Sequence, residues 1–113
     1  MNLDELANHL LTGFSDPVVQ KLGTVMLQWK TDTSTAEDLR ERVERYIGNS
    51  WINREEDHQK VYGVWSSFRD EAIGGIGGMT MNERLYWFGL FDRFDGSAKE
   101  ERLVIYRKLH ASP

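Results

Sequence analysis

The residues nearest to chemistry in this chain are Glu55 and His58. An E-x-x-H spacing sets a carboxylate and an imidazole on adjacent turns of a helix, where both can reach one metal ion. Di-iron bundles use that spacing twice and add two glutamates from other helices. Here the second pair is missing. Glu5 and His9 stand four apart, a spacing for one weak site, with no further ligand beside them. None of the three histidines (His9, His58, His110) has a serine partner or an aspartate orienter in a recognisable context, and no G-x-S-x-G occurs. Ser66-Ser67 lies between Trp65 and Phe68 in a helical pattern and reads as that helix's polar side. Gly74-Gly75-Ile76-Gly77-Gly78 suggests a phosphate cradle by composition alone. A dinucleotide loop needs G-x-G-x-x-G after a strand, and a P-loop needs G-K-[ST]. Here a helical pattern precedes the glycines and no lysine follows, so 74–79 reads as a connector and possible hinge. The expectation is a protein without catalytic residues, cofactor or bound metal.

With no catalytic set, function falls to the surface. There are four tryptophans. Trp29 and Trp65 fall on apolar stripes and read as core. Trp51 stands at a helix start beside Asn49-Ser50, and Trp87 falls between the stripe positions Leu85 and Phe88. Large aromatics are mostly buried, which favours burial for both; exposed, either would be a binding anchor. The run Glu55, Glu56, Asp57 is a solvated face or a contact for a basic partner. Asp92 and Asp95, just past the aromatic cluster Tyr86, Trp87, Phe88, Phe91 and Phe94, extend that contact or serve the turn there. The expected partner-binding set is Trp51, Glu55, Glu56, Asp57, Asp92 and Asp95.

Bulk properties narrow the partner. The chain's 113 residues, 40% hydrophobic, suit one domain over 1–113 with one core. A net charge of −4 disfavours direct nucleic-acid binding and fits a basic protein, since opposite charge speeds encounter. The lack of cysteine excludes disulfides, thiolate metal sites and a cysteine nucleophile. MNLDELANHLL carries acids where a secretory signal carries positive charge, and no run of about 18 apolar residues exists to span a membrane. The expected location is the cytoplasm.

The elements that must position these residues are helices, since no segment alternates with period two. Leu3, Leu6, Leu10 and Phe14 mark a first helix that stops near Gly13. Asp16-Pro17 reads as an N-cap and first residue of a second, carrying Val18, Leu22, Val25, Met26 and Trp29. AEDLRERVERYIG forms a third, with a stripe of Leu39, Val43, Tyr46 and Ile47, pairs Asp38–Arg42 and Glu41–Arg45, and a stop at Gly48-Asn49. A fourth runs from about 53 to 73, weakened mildly by Gly63. Thr80 and Glu83 form a capping box opening a fifth helix over 80–94. Ser97 and Glu100 form another, opening a last helix with Leu103, Tyr106 and Leu109. The expected architecture is all-α, a single-domain bundle of five to six helices.

The block Thr80-Met81-Asn82-Glu83-Arg84-Leu85, continued by Gly89-Leu90-Phe91-Asp92-Arg93-Phe94-Asp95, resembles a pattern of small bacterial proteins. In these an MT-x-NERL…GL-x-D-x-[FW]-D segment precedes a short charged helix. Several are similar to immunity proteins of polymorphic or contact-dependent growth-inhibition toxin systems. The resemblance covers roughly the last third of the chain. It implies a cytoplasmic, acidic protein that binds a cognate toxin, often a nuclease, and blocks its active site. It carries over no site residue. Two other readings stand beside it: a helical adaptor that self-associates through its aromatic C-terminal helices, and a metal-dependent enzyme using Glu55 and His58.

Overall fold

The computed structural model describes residues 1–113, and its helix starts follow local side-chain chemistry. In α1 (Leu3–Thr12), Asn2 caps and Glu5 answers it. Asp16 caps α2 (Pro17–Trp29), with proline in the first turn. Thr35 and Asp38 form the capping box of α3 (Ala36–Asn49), and Thr80 with Glu83 that of α5 (Met81–Phe88). The expected box at Ser97 is absent. The last helix, α7 (Lys99–Lys108), starts after Ala98 with no side-chain cap. The Ser97 hydroxyl donates instead to the Arg93 carbonyl in the short helix α6 (Phe91–Asp95).

The architecture is all-helical, with seven α-helices rather than five or six. The expected helix over 80–94 is two. Gly89 adopts φ 66°, and Leu90 N–H donates to Leu85 carbonyl at 2.9 Å while Gly89 N–H donates to Tyr86 carbonyl at 3.3 Å. This is a Schellman stop, closed by the buried pair Leu85 and Leu90. The aromatic pattern runs across Gly89, so periodicity alone hides the break. The expected helix over 53–73 is α4 (Glu55–Phe68) followed by a π-helical turn, Arg69–Ile73, whose wider ring Gly74 N–H closes on Arg69 carbonyl at 2.8 Å. A 3₁₀ turn, Ile76–Gly78, leads into α5.

The core joins all the long helices. Trp29 of α2 packs on Phe88 of α5 at 5.6 Å between ring centroids, Phe88 on Phe68 at 5.7 Å, and Phe68 on Trp65 at 5.8 Å. Trp29 and Trp65 are thus buried as expected. Gly23 lets α2 approach α1 closely, since a Cβ there would lie 2.8 Å from the Ala7 carbonyl. The buried face of α7 is Ile105, Lys108 and Leu109, whereas Leu103, expected inside, is 40% exposed.

Lys108 anchors α7 to the connection between α2 and α3. Its Nζ donates to the carbonyls of Asp32 (3.1 Å) and Ser34 (2.9 Å) and to the Asp32 carboxylate (2.9 Å). Arg42 donates to the other Asp32 oxygen at 3.0 Å, and Arg93 to the carbonyls of Lys30 (2.6 Å) and Asp32 (3.1 Å). The expected Asp38–Arg42 pair is therefore not made: Asp38 accepts from Thr35 N–H at 3.0 Å, and Arg42 turns to Asp32. On the same helix Arg40, between Glu37 and Glu44, carries the ion pairs, and Glu41–Arg45 forms none. Burial pushes Lys108 down to about 8, with the Asp32 carboxylate opposing the shift. Burial raises Asp32, but hydrogen bonds from Ser34, Lys108 and Arg42 outweigh it and hold the carboxyl below its ordinary range.

Candidate functional site

The connection from α3 to α4, residues 50–54, builds the most distinctive surface. Two contacts just after Trp51 fix it. Ile52 is buried in the core. Asn53 N–H donates to Asp16 Oδ2 at 3.1 Å, while Asp16 Oδ1 accepts from Val18 N–H at 2.9 Å. One buried carboxylate thus caps α2 and pins the connection. Ser50 is in extended backbone, where successive side chains point to opposite sides. With Ile52 turned inward, Trp51 is 79% exposed. The general burial of tryptophan fails here because the connection, not the residue type, sets its direction. Trp87, the other doubtful tryptophan, is partly buried against the core.

Trp51 borders a cleft of about 840 Å³ between the end of α3 and one face of α4. Glu44, Ile47 and Gly48 form the α3 side; Glu55, His58, Tyr62 and Arg69 form the other. Arg69 links the two walls, donating to Glu44 at 3.0 Å, to Asp70 at 3.0 Å and, more weakly, to the Tyr62 hydroxyl at 3.5 Å. Those contacts hold the guanidinium charged. Tyr62 remains 46% exposed. Glu55 makes no ion pair and accepts only a long 3.4 Å contact from Gln59.

The expected partner-binding set is divided by the fold. Trp51 and Glu55 share the cleft. Glu56 is paired with Lys60 at 2.9 Å and Arg54 at 3.0 Å. Asp57 faces a second groove with His9, Phe14, Arg54 and Lys60. Asp92 lies in a third, near Asp4, Lys30 and Arg93. Asp95 is exposed on α6, its carbonyl near Arg102. Glu55 and His58 do line one cavity, but no third carboxylate or imidazole joins them in a group able to hold a metal ion.

Glu44, Tyr62 and Arg69 were not singled out from the sequence. A signal existed: Glu55, His58, Tyr62 and Arg69 recur at helical spacing in a row that flanks the buried row Val61, Trp65 and Phe68. No helix is long and apolar enough to cross a membrane. No protein-family model, curated protein or solved structure matches the chain.

Proposed function

We propose that the protein acts by binding another protein through the Trp51 cleft, as an immunity protein that neutralises a bacterial toxin by covering the toxin's active site. The observation that carries this reading is Trp51, 79% exposed on a connection held directly after it by buried Ile52 and by the Asn53–Asp16 bond. A large exposed aromatic on a rigid backbone gains contact area on binding while losing little conformational entropy. Such anchors dominate interface energies. The net charge of −4 supports a basic partner, and a nuclease active site is basic because it holds phosphates. The resemblance of 80–95 supports the immunity assignment. Leu85 and Leu90 of that block are buried, which supports a structural rather than a contact role for it. The same burial leaves self-association through the aromatic helices less apolar surface to use.

The test takes the product of the neighbouring open reading frame as the candidate toxin and measures its neutralisation. The parent protein is expected to form a stoichiometric complex and abolish activity, and Trp51→Ala to lose most of that inhibition. A complex that leaves the toxin's active site open refutes occlusion. Equal potency of the variant refutes the cleft. A dimer at low micromolar concentration with no toxin binding supports the self-association reading instead.

A further inference from the structure

Gly48 has no internal reason to be glycine. It lies inside α3, its φ is not positive, and a Cβ built on it meets nothing within 4 Å. The helix does stop at Asn49 as expected, but without a left-handed residue at Gly48. Glycine within a helix costs about 0.5–1 kcal/mol against alanine. The open space beside Gly48 belongs to the Trp51 cleft, whose wall it forms. The position is bare where a bound chain would need to approach the helix backbone.

The charges around the cleft indicate what approaches. Arg69 is the cation of the walls, and Glu44 and Asp70 both accept from it. Glu55 is left without a cation. Two exposed aromatics, Trp51 and Tyr62, line the same cleft. A carboxylate next to aromatic faces suits a guanidinium, which is planar, weakly hydrated and able to stack while donating to an acid. An ammonium fits less well because it is compact and strongly hydrated.

We propose that the cleft seats an arginine side chain of the partner protein, donating to Glu55 and stacked on the exposed aromatic surface, with the partner's backbone passing over Gly48. This rests on the reading that the cleft binds a protein, and it names the partner's anchoring group.

The test uses the full ¹⁵N-labelled chain and a blocked peptide, Gly-Gly-Arg-Gly-Gly, against twins with citrulline or lysine in place of arginine. Citrulline keeps the shape and removes the charge. The arginine peptide is expected to shift the Trp51 indole N–H and the amides of Gly48 and Glu55 saturably, and the citrulline peptide to leave them unmoved. Glu55→Gln is expected to weaken binding roughly two- to fivefold, the range of an exposed ion pair. Gly48→Ala is expected to raise the thermal midpoint yet weaken binding. Gly63→Ala is the control: Gly63 is also helical with nothing within 4 Å of its Cβ, but it lines the second groove. That variant should raise the midpoint and leave binding unchanged. Absence of saturable shifts, equal shifts from citrulline, equal affinity for lysine, or full binding by Gly48→Ala would each overturn the proposal. Toxin neutralisation that depends on Trp51, with no arginine binding, defeats this inference alone. Neutralisation indifferent to Trp51 defeats the functional reading itself.

Discussion

The ammonium of Lys108 lies 3.8 Å above the ring of Trp29, with no solvent exposure. The two residues join the last helix to the end of the second, and Trp29 Nε1 continues the link by donating to Thr35 carbonyl at 2.8 Å. A buried lysine is tolerated because every proton on Nζ has an oxygen partner.

Replacing Lys108 by methionine keeps the volume and removes those bonds. The Asp32 carboxylate retains Arg42 and Ser34, but the Ser34 carbonyl loses its Nζ donor. Breaking such a site is expected to cost about 2–4 kcal/mol, less than a fully buried pair because Asp32 is partly exposed. Urea denaturation checks the magnitude. Hydrogen exchange should show the amides of α7 losing protection first.

The same cluster sets a pH dependence at both ends of the range, with stability rising with pH in each. Lys108 is pushed from 10.5 to about 8 in the folded protein, so between those values the unfolded chain binds more protons. Stability of the parent relative to Lys108→Met should therefore rise as pH increases from 8 to 10.5. Asp32 is lowered from 3.8, so its contribution is present above that value and lost as pH falls below it. Asp32→Asn should be destabilised at neutral pH and converge on the parent in acid. Denaturation midpoints across the pH range read both trends, and a flat difference at either end contradicts the assigned cause.

Local devices were legible in the sequence, and long-range ones were not. Thr80 and Glu83 need only each other to start α5, so their spacing suffices. Lys108 meets partners 74 and 76 positions earlier, and a lysine in a last helical turn reads as solvated. In α7 two apolar rows compete, Leu103 with Tyr106 and Ile105 with Leu109, and the buried ammonium decides for the second. Trp51 was legible as an anchor type, yet its direction depends on the Asp16–Asn53 bond, which spans 37 positions.

Gly89 tests the break between α5 and α6. Its left-handed backbone strains any side chain, and a Cβ would lie 2.5 Å from the Asp4 carboxylate. Asp4 also pairs with Lys30 at 2.6 Å. Gly89→Ala should cost about 1–2 kcal/mol from the backbone alone, with a further loss if Asp4 is displaced from Lys30. Adding Asp4→Ala should recover only the part owed to the clash. Thermal unfolding of the two single variants and the double variant separates the terms.

Asp16→Ala removes a helix cap and a loop pin together. The cap alone is worth about 1 kcal/mol, and Asn53 N–H loses its acceptor as well. The expected signature is faster amide exchange at Val18 and Asn53, with weaker partner binding because the Trp51 connection is less ordered. Asp16→Asn keeps one acceptor oxygen and should preserve either the cap or the pin, not both. Full protection of both amides in Asp16→Asn would show that one oxygen suffices.

Trp51→Ala separates stability from recognition most cleanly. At 79% exposure the indole contributes little to the core, so the unfolding free energy should change by less than about 0.5 kcal/mol, as for ordinary surface changes. Trp29→Ala and Trp65→Ala, both fully buried, should each cost about 3–5 kcal/mol. Inhibition of the partner should follow the reverse order: lost in Trp51→Ala while the protein stays folded, and retained by whatever fraction of the two core variants remains folded. Hot-spot truncation typically costs at least about 2 kcal/mol of binding, some thirtyfold in affinity. Measuring unfolding and inhibition on the same three preparations decides the matter. If Trp51→Ala loses stability instead, the indole is packed against the fold; if it loses neither, the partner lands elsewhere on the surface.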